Sequence, residues 1–179
     1  FERPAGRLIE VREGPDGKID PATLAYYNAT SWGVRNPQGM AVDQSNGRLL
    51  VLDGAGTPRI VIVTPASDGS FAQPTITQVT LATNAQALRG LALDPTSGNV
   101  QTVGRSQQAL LEFTQSGQLA DTRDLMRYGL HNSNGIVFAP SGDLTDDPAQ
   151  QSLYLADAGT GGQGQGPVQA NAGSTGQVK

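Results

Sequence analysis

The chain has 179 residues, a formal net charge of -4 and a sequence pI near 4.8. An acidic chain offers no basic field to hold phosphates, so nucleic acid and anionic membrane surfaces are excluded as expected partners. It contains no cysteine, which removes disulfides, thiolate metal sites and cysteine nucleophiles.

Gly 23 and Pro 11 are high, and long helical periodicity is absent, so the expectation is short strands and many turns. No apolar run is long enough to span a bilayer, so no membrane insertion is expected. Phe1 opens no signal peptide. The sequence begins and ends in mid-pattern, and the expectation is a mature, processed or excised segment.

In chain order, Gly6-Arg7-Leu8-Ile9-Glu10-Val11 reads as the third strand of a repeat unit, with Leu24-Ala25-Tyr26-Tyr27 as its fourth. The repeat then becomes explicit. Gly39, Gly90 and Gly135 open three similar units at intervals of 51 and 45 residues. Such periods suit a four-stranded propeller blade. After each glycine, apolar residues alternate: Met40 and Val42, Leu91 and Leu93, Ile136 and Phe138. This period of two predicts a strand with one buried face. Turn chemistry follows at Asp43-Gln44-Ser45-Asn46-Gly47, Asp94-Pro95-Thr96-Ser97-Gly98 and Pro140-Ser141-Gly142. Second strands are predicted over 48–53, 99–103 and 152–157. Third strands are predicted over 59–64 and 109–114, and more polar fourth strands over 76–81 and 118–122. Gly176-Gln177-Val178-Lys179 reads as the opening of another third strand.

The predicted fold class is all-β, with β-propeller blades of four antiparallel strands: about two complete blades plus two half-blades. They form a single partial domain over 1–179, with repeats starting near 36, 88 and 132 and a Gly/Gln-rich insertion over 158–175, read as a surface loop. Three blades fall below the usual four to eight. Either the terminal halves combine and a homo-oligomer or protein partner completes the assembly, or the chain belongs to a larger propeller. The larger propeller is the favoured expectation.

The units NPQGMAVDQSNGRLLVLD, LRGLALDPTSGNVQTVG and NSNGIVFAPSGD resemble the repeats of NHL-type and related six-bladed, TolB-like β-propellers over about residues 36–157. The resemblance implies the fold, whereas function on this fold varies widely. A narrower resemblance links Asn134-Gly135-Ile136-Val137-Phe138-Ala139-Pro140-Ser141-Gly142 to the blade start of the gluconolactonase and senescence-marker-protein family. It implies that Asn134 points into the central channel and binds a divalent cation. The family also uses a glutamate near its start and further asparagine and aspartate ligands, whereas the matching positions of the other blades here hold Gln38 and Arg89.

Candidate chemistry is sparse. His131 is the only histidine, which excludes a catalytic triad and a multi-histidine metal site. A lone proton shuttle is weighed against a loop position, and the loop is preferred. Asp43, Asp94, Asp53 and Asp157 stand at strand ends and read as turn formers. Asp143, Asp146 and Asp147 form the densest acidic cluster. Hard oxygen donors at that spacing could hold Ca2+ or another divalent cation, but the calcium-loop pattern is absent and a solvated hairpin loop is preferred. Trp32 and the pair Tyr26-Tyr27 are assigned to packing ahead of ligand stacking. Gln38, Arg89 and Ser133-Asn134 are expected to line the propeller axis.

These readings favour a non-enzymatic binding or scaffolding segment of a larger secreted, periplasmic or surface protein. Its partners would be a protein or the remaining blades. The alternative is a metal-dependent lactonase-type hydrolase of the gluconolactonase-like class.

Overall fold

A computed structural model describes residues 6–143 and 151–159. Twelve strands are described: β1 Arg7–Glu13, β2 Ile19–Asn28, β3 Pro37–Asp43, β4 Arg48–Asp53, β5 Arg59–Thr64, β6 Thr75–Thr80, β7 Leu88–Leu93, β8 Val100–Gly104, β9 Ala109–Phe113, β10 Leu119–Asp124, β11 Ser133–Pro140 and β12 Gln151–Asp157. They form two four-stranded antiparallel sheets, β3-β4-β5-β6 and β7-β8-β9-β10, and two two-stranded sheets, β1-β2 and β11-β12. The chain is thus a β-propeller segment of two four-stranded blades flanked by two half-blades among the described residues. The opening half-blade corresponds to the outer strands of a blade, and the closing one to the inner strands. The third-strand opening predicted over Gly176–Lys179 and most of the Gly/Gln-rich insertion lie outside the described residues.

The blades pack face to face, which explains the sequence of β4. Leu49 and Val51 face Leu8, Trp32 and Val34 of the half-blade before it. Leu50 and Leu52 face Leu88, Leu91 and Phe113 of the blade after it. Both faces of the strand are therefore dry, and Leu49–Leu52 reads as a continuous apolar run. A third core joins Val103 and Leu110 to Leu153 of the closing half-blade. Fully burying one such side chain contributes about 1.5–3 kcal/mol.

Several expectations need correction. Leu91 is buried, and Leu93, Ile136 and Phe138 are partly buried, as their alternation predicts. Met40 and Val42, in the same phase, are 47% and 55% exposed. Residues at these positions face the preceding blade, and the half-blade there contributes no inner strands among the described residues. The fourth strand predicted at Leu24–Tyr27 is instead the ten-residue β2, Ile19–Asn28, paired with β1 around the turn at Gly14–Lys18. Trp32 and Tyr27 do pack inside, in an aromatic cluster with Phe71. Tyr26 is exposed, with the Arg7 guanidinium 5.2 Å above its ring. One 3-10 turn at Met126–Tyr128, closed by left-handed Gly129, has no counterpart in the periodicity. No helix among the described residues is long and apolar enough to cross a membrane.

Candidate functional site

The inner strands β3, β7 and β11 run side by side at the centre of the arc. They approach so closely that a Cβ on Gly39 would meet the Gly90 backbone, with the Leu91 amide nitrogen at 2.6 Å. A Cβ on Gly90 would lie 2.7 Å from Ile136 Cγ2. Gly90 also adopts φ +64, and the Thr102 hydroxyl donates to the Arg89 and Gly90 carbonyls at 3.0 and 2.8 Å. The repeated glycine is therefore a steric requirement of blade packing.

Each inner strand is also bulged at its start. The ladder shifts register between Pro37 and Gly39, between Arg89 and Ala92, and between Ser133 and Gly135. A bulge turns the side chain of its extra residue away from the ladder. Gln38 and Asn134 occupy these bulges; Arg89, which stands before Gly90 as they stand before their glycines, keeps its pairing with Val103, and the middle bulge follows it at Gly90 and Leu91.

Their side chains make a polar rim at the mouth of the axis. The Gln38 Nε2 donates to the Asn36 carbonyl at 3.1 Å and to its Oδ1 at 2.6 Å. Arg89 Nη1 donates to Gln38 Oε1, which ties the two blades together, and to the Leu88 carbonyl at 2.9 Å. Asn134 Nδ2 donates to the Asn132 carbonyl at 3.0 Å, and Asn132 Oδ1 accepts from Arg105 Nη2 at 2.6 Å. Gln38 and Asn134 thus repeat one arrangement: a bulged amide folded onto the asparagine two residues before it. Ser133, also expected at the axis, is buried instead and donates its hydroxyl to Asp157 Oδ1 at 3.1 Å.

Two aspartates behind the rim fix the inner-strand starts. Asp53 Oδ1 accepts the Asn36 and Arg35 amides at 2.6 and 3.2 Å, and its Oδ2 accepts Arg59 Nη2 at 2.8 Å. Asp157 Oδ1 accepts the Asn132 amide at 2.5 Å, and its Oδ2 accepts the Gly159 amide at 3.1 Å. Burial alone would push the Asp157 carboxyl up, but the Asn132 and His131 amides, the Ser133 hydroxyl and the Gly159 amide outweigh it and hold it below the ordinary value. Both aspartates are therefore more than turn formers: each latches the segment entering its sheet to the end of the second strand. Asp43 and Asp94 do cap their turns, accepting from Ser45 and from Thr96 and Ser97.

At the other end of the inner strands lies an open cleft of about 930 Å³, lined by Met40, Val42, Leu93, Ile136, Phe138 and Arg48 among others. His131 is exposed, its carbonyl accepting weakly from Gln108 Nε2 at 3.4 Å. Asp143 lies on an exposed turn, its amide donating to Ser141 Oγ at 3.1 Å. Asp146 and Asp147 lie outside the described residues. Among the described residues no three His, Cys, Asp or Glu side chains are grouped to hold a metal ion. The rim also fits a divalent cation poorly. Its amides and guanidinium turn N–H groups to their neighbours, whereas a hard cation needs several oxygens and is repelled by Arg89.

No protein-family model matches the chain, and no curated protein matches it. Solved structures do. A chain of the nidogen/laminin complex is similar over 86% of this chain and 50% of its own length, at 17% identity and a TM-score of 0.59. The luciferin-regenerating enzyme is similar over 84% of this chain and 44% of its own, at 18% identity and a TM-score of 0.50. Streptogramin B lyase is similar over 86% and 42%, at 14% identity and a TM-score of 0.48. The chain spans about half the length of these proteins. At such identities the first two likenesses establish a shared β-propeller fold.

Proposed function

We propose that this chain is a non-enzymatic binding or scaffolding segment, of NHL-like type, within a larger propeller outside the cytoplasm. One observation carries the binding reading: the rim of the axis is a run of guanidinium and amide side chains. Arg89 and Gln38 join two blades, and Arg105, Asn132 and Asn134 continue the rim. Rigid blades hold these donors in place, and a guanidinium fork among amides suits a ligand rich in carboxylate oxygens.

The test uses hexaglutamate as a model carboxylate ligand, followed by calorimetry in low and physiological salt. Saturable binding is expected, weakened by salt, lost in Arg89→Ala and reduced in Arg105→Ala. Binding that is indifferent to Arg89 overturns the reading. So does lactone hydrolysis in the presence of Ca2+, Mg2+ or Zn2+ that disappears in Asn134→Ala, because it assigns the rim to a metal-dependent hydrolase.

A further inference from the structure

Asn28-Ala29-Thr30 is the only Asn-X-Ser/Thr triplet in the sequence, the pattern at which an asparagine accepts a glycan. Such a triplet arises easily by chance, so its placement in the fold decides what it is worth. It lies where β2, the outermost strand of its half-blade, turns back toward the axis. Asn28 and Thr30 are exposed, while Ala29 between them is fully buried. The Ala29 amide donates to the Gly6 carbonyl at 2.9 Å, and Asn28 Oδ1 accepts the Thr30 amide at 3.1 Å. The middle residue is thus an anchor. The bond to Oδ1 leaves the Asn28 Nδ2 on the other side of the carboxamide.

Both complete blades repeat this geometry with a neighbour packed in front of them. Arg7 stands opposite Asn28 as Arg59 stands opposite Thr80 and Ala109 opposite Asp124. Leu81 and Leu125 take the place of Ala29: both are buried, and their amides donate to the Pro58 and Gln108 carbonyls at 3.0 and 2.9 Å. Thr80 and Asp124 are exposed all the same, and Asp124 Oδ1 accepts the Met126 amide at 2.9 Å as Asn28 accepts that of Thr30. A preceding blade therefore leaves this position accessible.

Tyr26 supplies a second, independent observation. Residues two apart in a strand share a face, so Tyr26 and Asn28 project together. Tyr26 is 55% exposed even with the Arg7 guanidinium 5.2 Å from its ring centroid. Its counterparts in the complete blades, Gln78 and Thr122, are exposed too, but they are polar. Only the strand that carries the triplet presents an aromatic ring two residues before this end, where a sugar on Asn28 would lay its apolar C–H face.

We propose that Asn28 is an N-glycosylation site whose first sugar packs on Tyr26. The donor is an oligosaccharide carried on a polyprenyl diphosphate. Asn28 Nδ2 forms a bond to the anomeric carbon, the bond from that carbon to the diphosphate oxygen breaks, the diphosphate leaves, and Nδ2 gives up one proton. The glycan stands at the edge of the blade opposite the inner strands, so the rim of the axis stays open. The inference rests on the location outside the cytoplasm in the proposed function and is independent of the carboxylate ligand.

The full 179-residue chain is expressed in cultured eukaryotic cells behind a cleavable secretion leader, and the tryptic peptide Ile19–Arg35 is read by mass spectrometry before and after peptide-N-glycosidase. Reading it from cells and medium alike keeps the result clear of any folding defect. One oligosaccharide is expected, kept in Thr30→Ser and lost in Asn28→Gln and Thr30→Ala. The glycosylated chain is expected to unfold about 2–4 °C above Asn28→Gln, and that gap should close when Tyr26→Ala is added to both. An unmodified peptide overturns the proposal, and a gap indifferent to Tyr26 overturns the packing on its ring. The same peptide from the protein's own source completes the test. Unmodified Asn28 in protein recovered outside the cytoplasm overturns the site alone, whereas protein confined to the cytoplasm overturns the location on which the site rests.

Discussion

Arg59 and Asp53 form a buried latch: the guanidinium lies 2.8 Å from a carboxylate with no solvent exposure, and Arg59 also donates to the Gly33 carbonyl at 2.8 Å. The other carboxylate oxygen holds the Arg35 and Asn36 amides. One side chain thus ties together β4, β5 and the segment entering β3. Removing Arg59 strands a buried charge, so Arg59→Ala is expected to cost about 3–5 kcal/mol. Asp53→Asn keeps an acceptor for the backbone amides and should cost less than Asp53→Ala. Urea unfolding of the three variants checks the order. If Asp53→Asn proves the most costly, the amide latch is not what Asp53 chiefly supplies.

The glycines of the inner strands should differ sharply in tolerance. Gly39→Ala drives a methyl into the Gly90 backbone, and backbone cannot swing aside. Gly90→Ala meets Ile136 and also strains a left-handed residue. Each is expected to cost about 3 kcal/mol or more. Gly135→Ala meets only the Ala156 Cβ at 3.2 Å, on a sheet with no following blade among the described residues. Its cost should stay under about 1 kcal/mol. Thermal unfolding gives the ranking. An equal response at all three positions would mean that inter-strand contact does not explain the repeat.

Those glycines also show why the architecture was legible in the sequence. A close approach leaves a residue type at a fixed interval, and alternation with turn chemistry around it is enough to outline a blade. The rim was legible in part. Gln38, Arg89 and Asn134 stand out because they precede the glycines, but the bulges at or beside them leave no residue signature, and neither does the Gln38–Arg89 contact between blades. Ser133 was misplaced for that reason. Alternation reveals that a strand has a face to cover but not whether a neighbour covers it, which is why Met40 and Val42 were misjudged. Asp53 and Asp157, each followed by a small residue, look like turn formers; their pairing with backbone seventeen and twenty-five residues away is a tertiary fact.

Gln101 sits in β8 between Ala92 and Glu112 in the ladder, 1% exposed, and its Oε1 has no partner among the described residues. A buried acceptor left unpaired costs about 1–3 kcal/mol. Methionine preserves the length of the side chain and removes the carboxamide. Gln101→Met is therefore expected to be neutral or to stabilise by up to about 1 kcal/mol, whereas Gln101→Ala opens a cavity and destabilises by about 2 kcal/mol. Chemical denaturation separates the two. A large loss in Gln101→Met would reveal that the Oε1 has a partner in solution.

Asp43 gives the protein a specific response to acid. Its carboxylate accepts from the Ser45 hydroxyl at 2.6 Å, pairs with Arg48 at 2.7 Å and accepts from Asn46 at 2.8 Å. The Ser45 hydroxyl and then Arg48 hold its pKa down at about 2, against an ordinary value of 3.8. A pKa lowered by folding stabilises the native state wherever the unfolded group is ionised, here above pH 3.8. That contribution is roughly 2 kcal/mol and fades as pH falls from about 4 through about 2. Asp43→Asn lacks it at every pH. The gap in urea stability between the native chain and Asp43→Asn should therefore be widest near neutral pH and shrink by about 2 kcal/mol on approaching pH 2. Using this difference cancels the acid response of the other carboxylates, including the depressed Asp157. A gap constant across that range would mean that the turn around Asp43 persists in the unfolded chain, where the same partners would already hold its carboxylate.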